Sequence, residues 1–126
     1  MRFTLPGQLR GPECREVMKQ ATALRKTLEP LFEKCTSENI TDLAIVLRVD
    51  GSLGSFGSEG VENIELNEGK ICCDLVIRDH GWKDLGPSEI RDILKKGVLD
   101  AITECFAEIK EETDLSEIRR VLSNDS

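Results

Sequence analysis

The order of two hydrophobic periodicities constrains the fold of this chain more than any other feature. Apolar residues recur at helical spacings over 12–35 and 88–110, and a shorter helical pattern covers 114–122. Gly97, inside the second pattern, predicts a close approach of that helix to a sheet. Between the long patterns the period changes to two, and the runs 43–50, 61–67 and 70–78 predict strands. Residues 1–10 are interpreted as an extended segment, with an edge strand as one possibility.

The short links between the strand runs predict antiparallel pairing, because a parallel connection needs about a dozen residues or more. We therefore expect one α+β domain over 1–126, built as a two-layer sandwich. Its sheet would be an antiparallel meander of three to four strands, with two long helices on one face and a short C-terminal helix. Alternation predicts that the other sheet face is mainly polar and is either solvated or an interface. The residues expected there are Arg48, Asp50, Asn63, Glu65, Cys72, Asp74, Val76 and Arg78.

Composition argues against several functions. The chain has 24 acidic and 17 basic residues and a formal net charge of −7, so direct binding to nucleic acid is not expected. No apolar stretch reaches the roughly 20 residues that span a bilayer. The first residues also lack the apolar region of a signal peptide. We expect a cytoplasmic protein with no membrane partner.

Side chains suited to catalysis or metal binding are sparse. His80 is the single histidine, and no two cysteines have C-x-x-C spacing. A Cys–His–Asp arrangement is disfavoured, because Cys72 and Cys73 lie in mid-strand and no local nucleophile signature surrounds them. We expect no enzyme activity, no metal and no cofactor. All five cysteines are expected as reduced thiols: Cys14, Cys35, Cys72, Cys73 and Cys105.

Four glycines lie in the ten-residue segment 51–60, which allows either a short bulged strand or a mobile functional loop. Phosphate binding is disfavoured there, because no G-K-[ST] arrangement follows. Glu59 and Glu62 would also repel an anion.

Two groups of acids dominate the charge pattern. The first lines the hairpin region and consists of Asp50, Glu59, Glu62, Glu65 and Glu68. The second lies at the end of the second long helix and consists of Glu104, Glu108, Glu111, Glu112, Asp114 and Glu117. Such groups are typical of a solvated surface. They also suit a basic partner, whose association they would accelerate.

His80 and Trp82 lie in the segment before the second long helix. One interpretation is a loop whose indole packs over the sheet edge. The other is a binding anchor, since an indole in a surface loop can dominate the energy of an interface.

The stretch Leu43–Gly51 and the later stretch Ser55–Leu66 resemble immunity proteins of bacterial polymorphic toxin and contact-dependent growth inhibition systems. The helix that begins Ser88-Glu89-Ile90 and continues through Gly97–Ile102 has the same resemblance, which spans most of residues 15–106. The resemblance implies a small, acidic, cytoplasmic protein that binds one cognate toxin domain, very often a nuclease, and blocks it. It carries over no catalytic residue and no contact position.

The first hypothesis is therefore a non-enzymatic immunity protein that occludes a basic toxin. An alternative is a regulatory or assembly module that dimerises through its sheet, and a small enzyme with a carboxylate site is a third hypothesis. The predicted partner-binding residues are chosen from the acidic groups and from the segment that contains His80 and Trp82. These are Glu59, Glu62, Glu65, His80, Trp82, Glu108, Glu111 and Glu112.

Overall fold

A computed structural model of the chain describes residues 1–8, 14–50, 60–78, 84–110 and 112–123. The strands are β1 (Arg2–Thr4), β2 (Gly7–Gln8), β3 (Asp42–Asp50), β4 (Gly60–Asn67) and β5 (Lys70–Arg78). The helices are α1 (Arg15–Glu33), α2 (Pro87–Glu108) and α3 (Ser116–Ser123). The α+β class and the three predicted helices are confirmed.

The strands form one mixed sheet in the order β1–β3–β5–β4, and β2 also pairs with β3. β3 and β5 are parallel along their whole lengths, from Asp42 opposite Lys70 to Asp50 opposite Arg78. Among the described strands, β4 and β5 alone form an antiparallel pair. The predicted antiparallel meander is therefore wrong.

The position of β4 explains this error. The prediction treats each short link as a hairpin. The antiparallel hairpin of β4 and β5 is confirmed, but β4 does not pair with β3 and lies beyond β5, at the far edge of the sheet. Residues 51–69, which include β4, therefore connect two parallel neighbours. That segment exceeds the dozen or so residues that a parallel connection needs.

The N-terminal segment forms the opposite edge of the sheet. β1 and β2 both pair in parallel with β3, and between them the carbonyl of Pro6 accepts a hydrogen bond from the Leu47 amide at 2.9 Å. The ring of Phe3 stacks on Phe32 of α1, with their centroids 4.7 Å apart. The edge-strand interpretation of this segment is confirmed.

The core joins one face of the sheet to apolar sides of the helices. Seven odd-numbered residues of β3 and β5 are buried: Leu43, Ile45, Leu47, Ile71, Cys73, Leu75 and Ile77. They form a single hydrophobic cluster with residues from α1, α2 and α3. No polar or charged residue is buried in the described part of the chain. Polar groups that could serve a function there lie at or near the surface.

Helix α2 approaches β5 closely at Gly97. A Cβ atom at this position would lie 3.2 Å from Leu75 Cδ2 and 3.4 Å from Ile77 Cδ1. A larger residue would push the helix away from the sheet, so the predicted close approach at Gly97 is confirmed.

Candidate partner-binding surface

A β-bulge in β4 brings two of the predicted acidic residues to one face of the sheet. Glu62 lies opposite Asp74 and Glu65 lies opposite Cys72, with a register shift between the two pairs. Directly opposed residues point to the same side of a sheet, and Asp74 and Cys72, two residues apart, share a face. Glu62 and Glu65 therefore also share that face, which regular alternation would not allow.

The backbone of Asn63 supplies the bulge. Its φ angle is 55°, in the left-handed region that asparagine tolerates better than most residues. Alternation in the sequence predicts that Asn63 and Glu65 lie on the polar face. It does not predict Glu62 on that face. The bulge adds Glu62 because it inserts one extra residue into β4 opposite β5.

Asp74 joins three strands on this polar face. Its Oδ2 atom accepts a hydrogen bond from Asn63 Nδ2 at 2.9 Å and lies 3.6 Å from Arg48 Nη1 of β3. The Arg48 and Asp74 side chains are partly exposed, so this ion pair contributes little to stability. The four charged residues Arg48, Glu62, Glu65 and Asp74 sum to −2, and the register places three further charged residues with a net charge of +1 on the same face: Arg2, Asp42 and Lys70. We call the first four residues the acidic face.

Cys72 lies beside this acidic face and is exposed. Partial burial of the thiol raises the pKa of Cys72, and the nearby carboxylates of Asp74 and Glu65 raise it further. The side chain is therefore a neutral thiol at neutral pH, and the thiol is a much weaker nucleophile than the thiolate.

The other predicted binding residues fall into two sets. Glu108 is exposed at the C-terminal end of α2, and Glu112 is exposed in the link to α3. The structure does not place either of them on the acidic face with Glu62 and Glu65. The remaining predicted residues lie outside the described part of the chain: Glu59, His80, Trp82 and Glu111.

A second surface feature was not predicted from the sequence. A cleft of about 420 Å³ lies between α2 and the β4–β5 pair. Its lining includes residues at helical spacing along one side of α2: Ile93, Lys96, Gly97, Asp100 and Glu104. This spacing is visible in the sequence, but it could have indicated a cleft only if the strands facing α2 had been known.

Two of the three buried thiols form a pair, and the third is Cys14. Cys73 of β5 and Cys105 of α2 are both buried. A side-chain hydrogen bond with Cys105 raises the pKa of Cys73 far above its usual range, and burial acts in the same direction. All five cysteines are free thiols in the structure. Within the described ranges, no three histidine, cysteine, aspartate or glutamate side chains are grouped so that they could hold a metal ion.

None of the helices in the described part of the chain is both long and apolar enough to cross a membrane. Comparisons of the chain with protein-family models, with curated proteins and with solved structures find no match.

Proposed function

We propose that this protein is a cytoplasmic, non-catalytic immunity protein that binds a basic toxin domain and blocks it. The observation that carries the proposal is the bulge at Asn63, which places Glu62 and Glu65 beside Asp74 on one sheet face. The resemblance to immunity proteins in the sequence supports the same function.

The proposal includes the layer arrangement of the fold. We propose that all three helices cover the odd-numbered face of β3 and β5, as a two-layer sandwich requires. The shared hydrophobic cluster supports this arrangement. The even-numbered face would then be available to a partner at Arg48 and Asp74. It would not be available at Val76, which was expected on the exposed polar face but is buried.

Electrostatics gives the proposed mechanism. A nuclease domain needs a basic surface to hold the phosphates of its substrate. Carboxylates on a rigid sheet would be attracted to that surface, would speed association and would exclude the nucleic acid once bound. The proposed inhibitor therefore needs no catalytic group and no cofactor, because it acts by occupying the substrate surface.

The direct test uses the toxin domain that the proposal expects to be encoded beside this chain. The purified toxin domain would be titrated with the purified chain while its cleavage of nucleic acid is measured. We expect activity to fall to background at one equivalent, with bovine serum albumin as an unrelated acidic control that has no effect. Full activity at a tenfold excess of this chain would contradict the proposal.

One observation favours the alternative of a module that dimerises through its sheet. Leu66 lies on β4, at the sheet edge, and is 49% exposed. Edge strands can pair with a second copy, but bulges such as the one at Asn63 are a common device against such pairing. Sedimentation velocity over a hundredfold range of concentration separates the two functions. A concentration-dependent dimer that Leu66→Lys abolishes would support the alternative.

A further inference from the structure

The cleft between α2 and the β4–β5 pair has an apolar floor. Val61 of β4, Leu75 and Ile77 of β5, and Ile93 of α2 contribute aliphatic side chains to it. Gly97 lines the back of the cleft, where α2 packs directly on the side chains of Leu75 and Ile77. An aliphatic chain placed here would replace contact with water by contact with hydrocarbon.

The rim of the cleft is charged. Asp100 and Glu104 lie four residues apart on α2, and both line the cleft and are exposed. Side chains at this spacing stand on neighbouring turns, with Cβ atoms about 5–6 Å apart. Lys96 lies one turn before Asp100 on the same rim. The rim therefore combines two carboxylates with one ammonium group, for a net charge of −1.

We propose that this cleft binds an arginine side chain of a partner protein, with its methylene stem on the apolar floor and its guanidinium between Asp100 and Glu104. The role of this site in toxin recognition rests on the proposed function. The arginine site itself does not depend on it. The site is separate from the acidic face, because no residue of that face lines the cleft.

Arginine fits this arrangement better than other side chains do. Its stem covers apolar surface while its head stays in water, and its planar fork of donors can serve two carboxylates at once. A lysine ammonium is a compact charge that holds its water more tightly. A purely apolar side chain would gain nothing from the carboxylates of Asp100 and Glu104.

The test uses small probes and no toxin. Nα-acetyl-arginine N-methylamide would be titrated into the ¹⁵N-labelled chain, with the amide shifts of Val61, Gly97 and Asp100 as the readout. We expect saturable shifts at these amides. The matching citrulline compound, which has the same shape without the charge, should bind about tenfold more weakly or worse. The lysine compound should also bind more weakly. Equal binding of arginine and citrulline, or of arginine and lysine, would overturn the proposal.

Matched variants locate the site. The double variant Asp100→Asn/Glu104→Gln should lose the arginine-induced shifts, and a well-dispersed spectrum would show that it is folded. The double variant Glu33→Gln/Glu38→Gln is the control, because it removes the same charge at two exposed positions that do not line the cleft. It should bind arginine as the original chain does. If both variants lost the arginine-induced shifts equally, the binding would be a general attraction of arginine to an acidic protein. That result would overturn the proposed site.

The outcomes keep this site and the proposed function apart. Toxin inhibition without arginine binding would overturn the arginine site and leave the proposed function standing. Arginine binding without toxin inhibition would overturn the proposed function and support the site.

Discussion

Glu62 and Glu65 point to the same side of the sheet although they lie three positions apart, because β4 bulges between the residues opposite Asp74 and Cys72. The bulge depends on the backbone conformation of Asn63, whose φ angle is 55°. One residue in a left-handed conformation therefore decides which carboxylates share a face.

Substitutions at Asn63 test this dependence. Asn63→Val should destabilise the protein by about 1–2 kcal/mol, because a β-branched residue resists the left-handed region. Asn63→Gly keeps that conformation accessible and loses the hydrogen bond to Asp74, so it should cost less than Asn63→Val. Urea unfolding of both variants checks the order. A valine variant at least as stable as the glycine variant would contradict the role assigned to Asn63.

The contact between Gly97 and Leu75 gives a second prediction. Gly97→Ala gains about 1 kcal/mol of helix propensity, but its Cβ would lie 3.2 Å from Leu75 Cδ2. Such overpacking costs about 1–3 kcal/mol, so the single variant should be neutral or destabilised. Valine has no Cδ atoms, so the close contact is absent in a Leu75→Val background. In that background Gly97→Ala should be stabilising. A double-mutant cycle measures this coupling, and strictly additive effects would show that the contact does not limit the helix position.

Thiol reactivity gives a third prediction. The mass of the native protein, measured without reductant, should match five reduced cysteines, and a loss of about two mass units would reveal a disulfide. With a limiting amount of iodoacetamide at pH 8, the exposed Cys72 should react before the buried Cys73 and Cys105. Because the pKa of Cys72 is raised, it should react more slowly than a cysteine peptide. Early labelling of Cys73 in the native protein would contradict the packing of α2 on β5.

Asp114 gives a pH prediction. Its Oδ1 atom accepts hydrogen bonds from the Ser116 hydroxyl at 2.7 Å and from the Ser116 amide at 3.1 Å. These bonds lower the pKa of Asp114, so its contribution to stability exists above the pKa of the unfolded carboxyl. The contribution is lost as the pH falls through the lower folded value, below about pH 4. Asp114→Asn should be less stable than the original chain at pH 7, and the difference should shrink at pH 3. A difference that does not change with pH would contradict this assignment.

The helices were predictable from the sequence because each buries a continuous apolar stripe whose period is set by the helix alone. The strand positions were predictable for a similar reason, since Leu43, Ile45 and Leu47 alternate with more polar residues. Strand order was not predictable, because the link 51–59 is compatible both with a hairpin to β3 and with a path to the far edge of the sheet. The periodicity within a strand does not indicate which strand lies beside it.

The two surface features depended on information that the sequence does not show directly. The acidic face needs the bulge, and asparagine at position 63 is compatible with regular strand as well as with a left-handed turn. The cleft needs the rotation of α2 over β4 and β5, which places Asp100 and Glu104 beside Val61 and Leu75. The sequence nominated Glu62 and Glu65 by charge alone. It gave no reason to separate them from Glu108 and Glu112.

The measurement that tests the account most directly is the association rate with the neighbouring toxin domain, followed by stopped flow at several salt concentrations. Glu62→Gln/Glu65→Gln should slow association and flatten its salt dependence, because charges at an interface act mainly on the on-rate. Glu108→Gln/Glu112→Gln removes the same charge from the C-terminal end of α2 and from the link to α3, and it should slow association less. If the Glu62/Glu65 variant associates as fast as the original chain at every salt concentration, the acidic face does not recruit a basic toxin and the central claim fails.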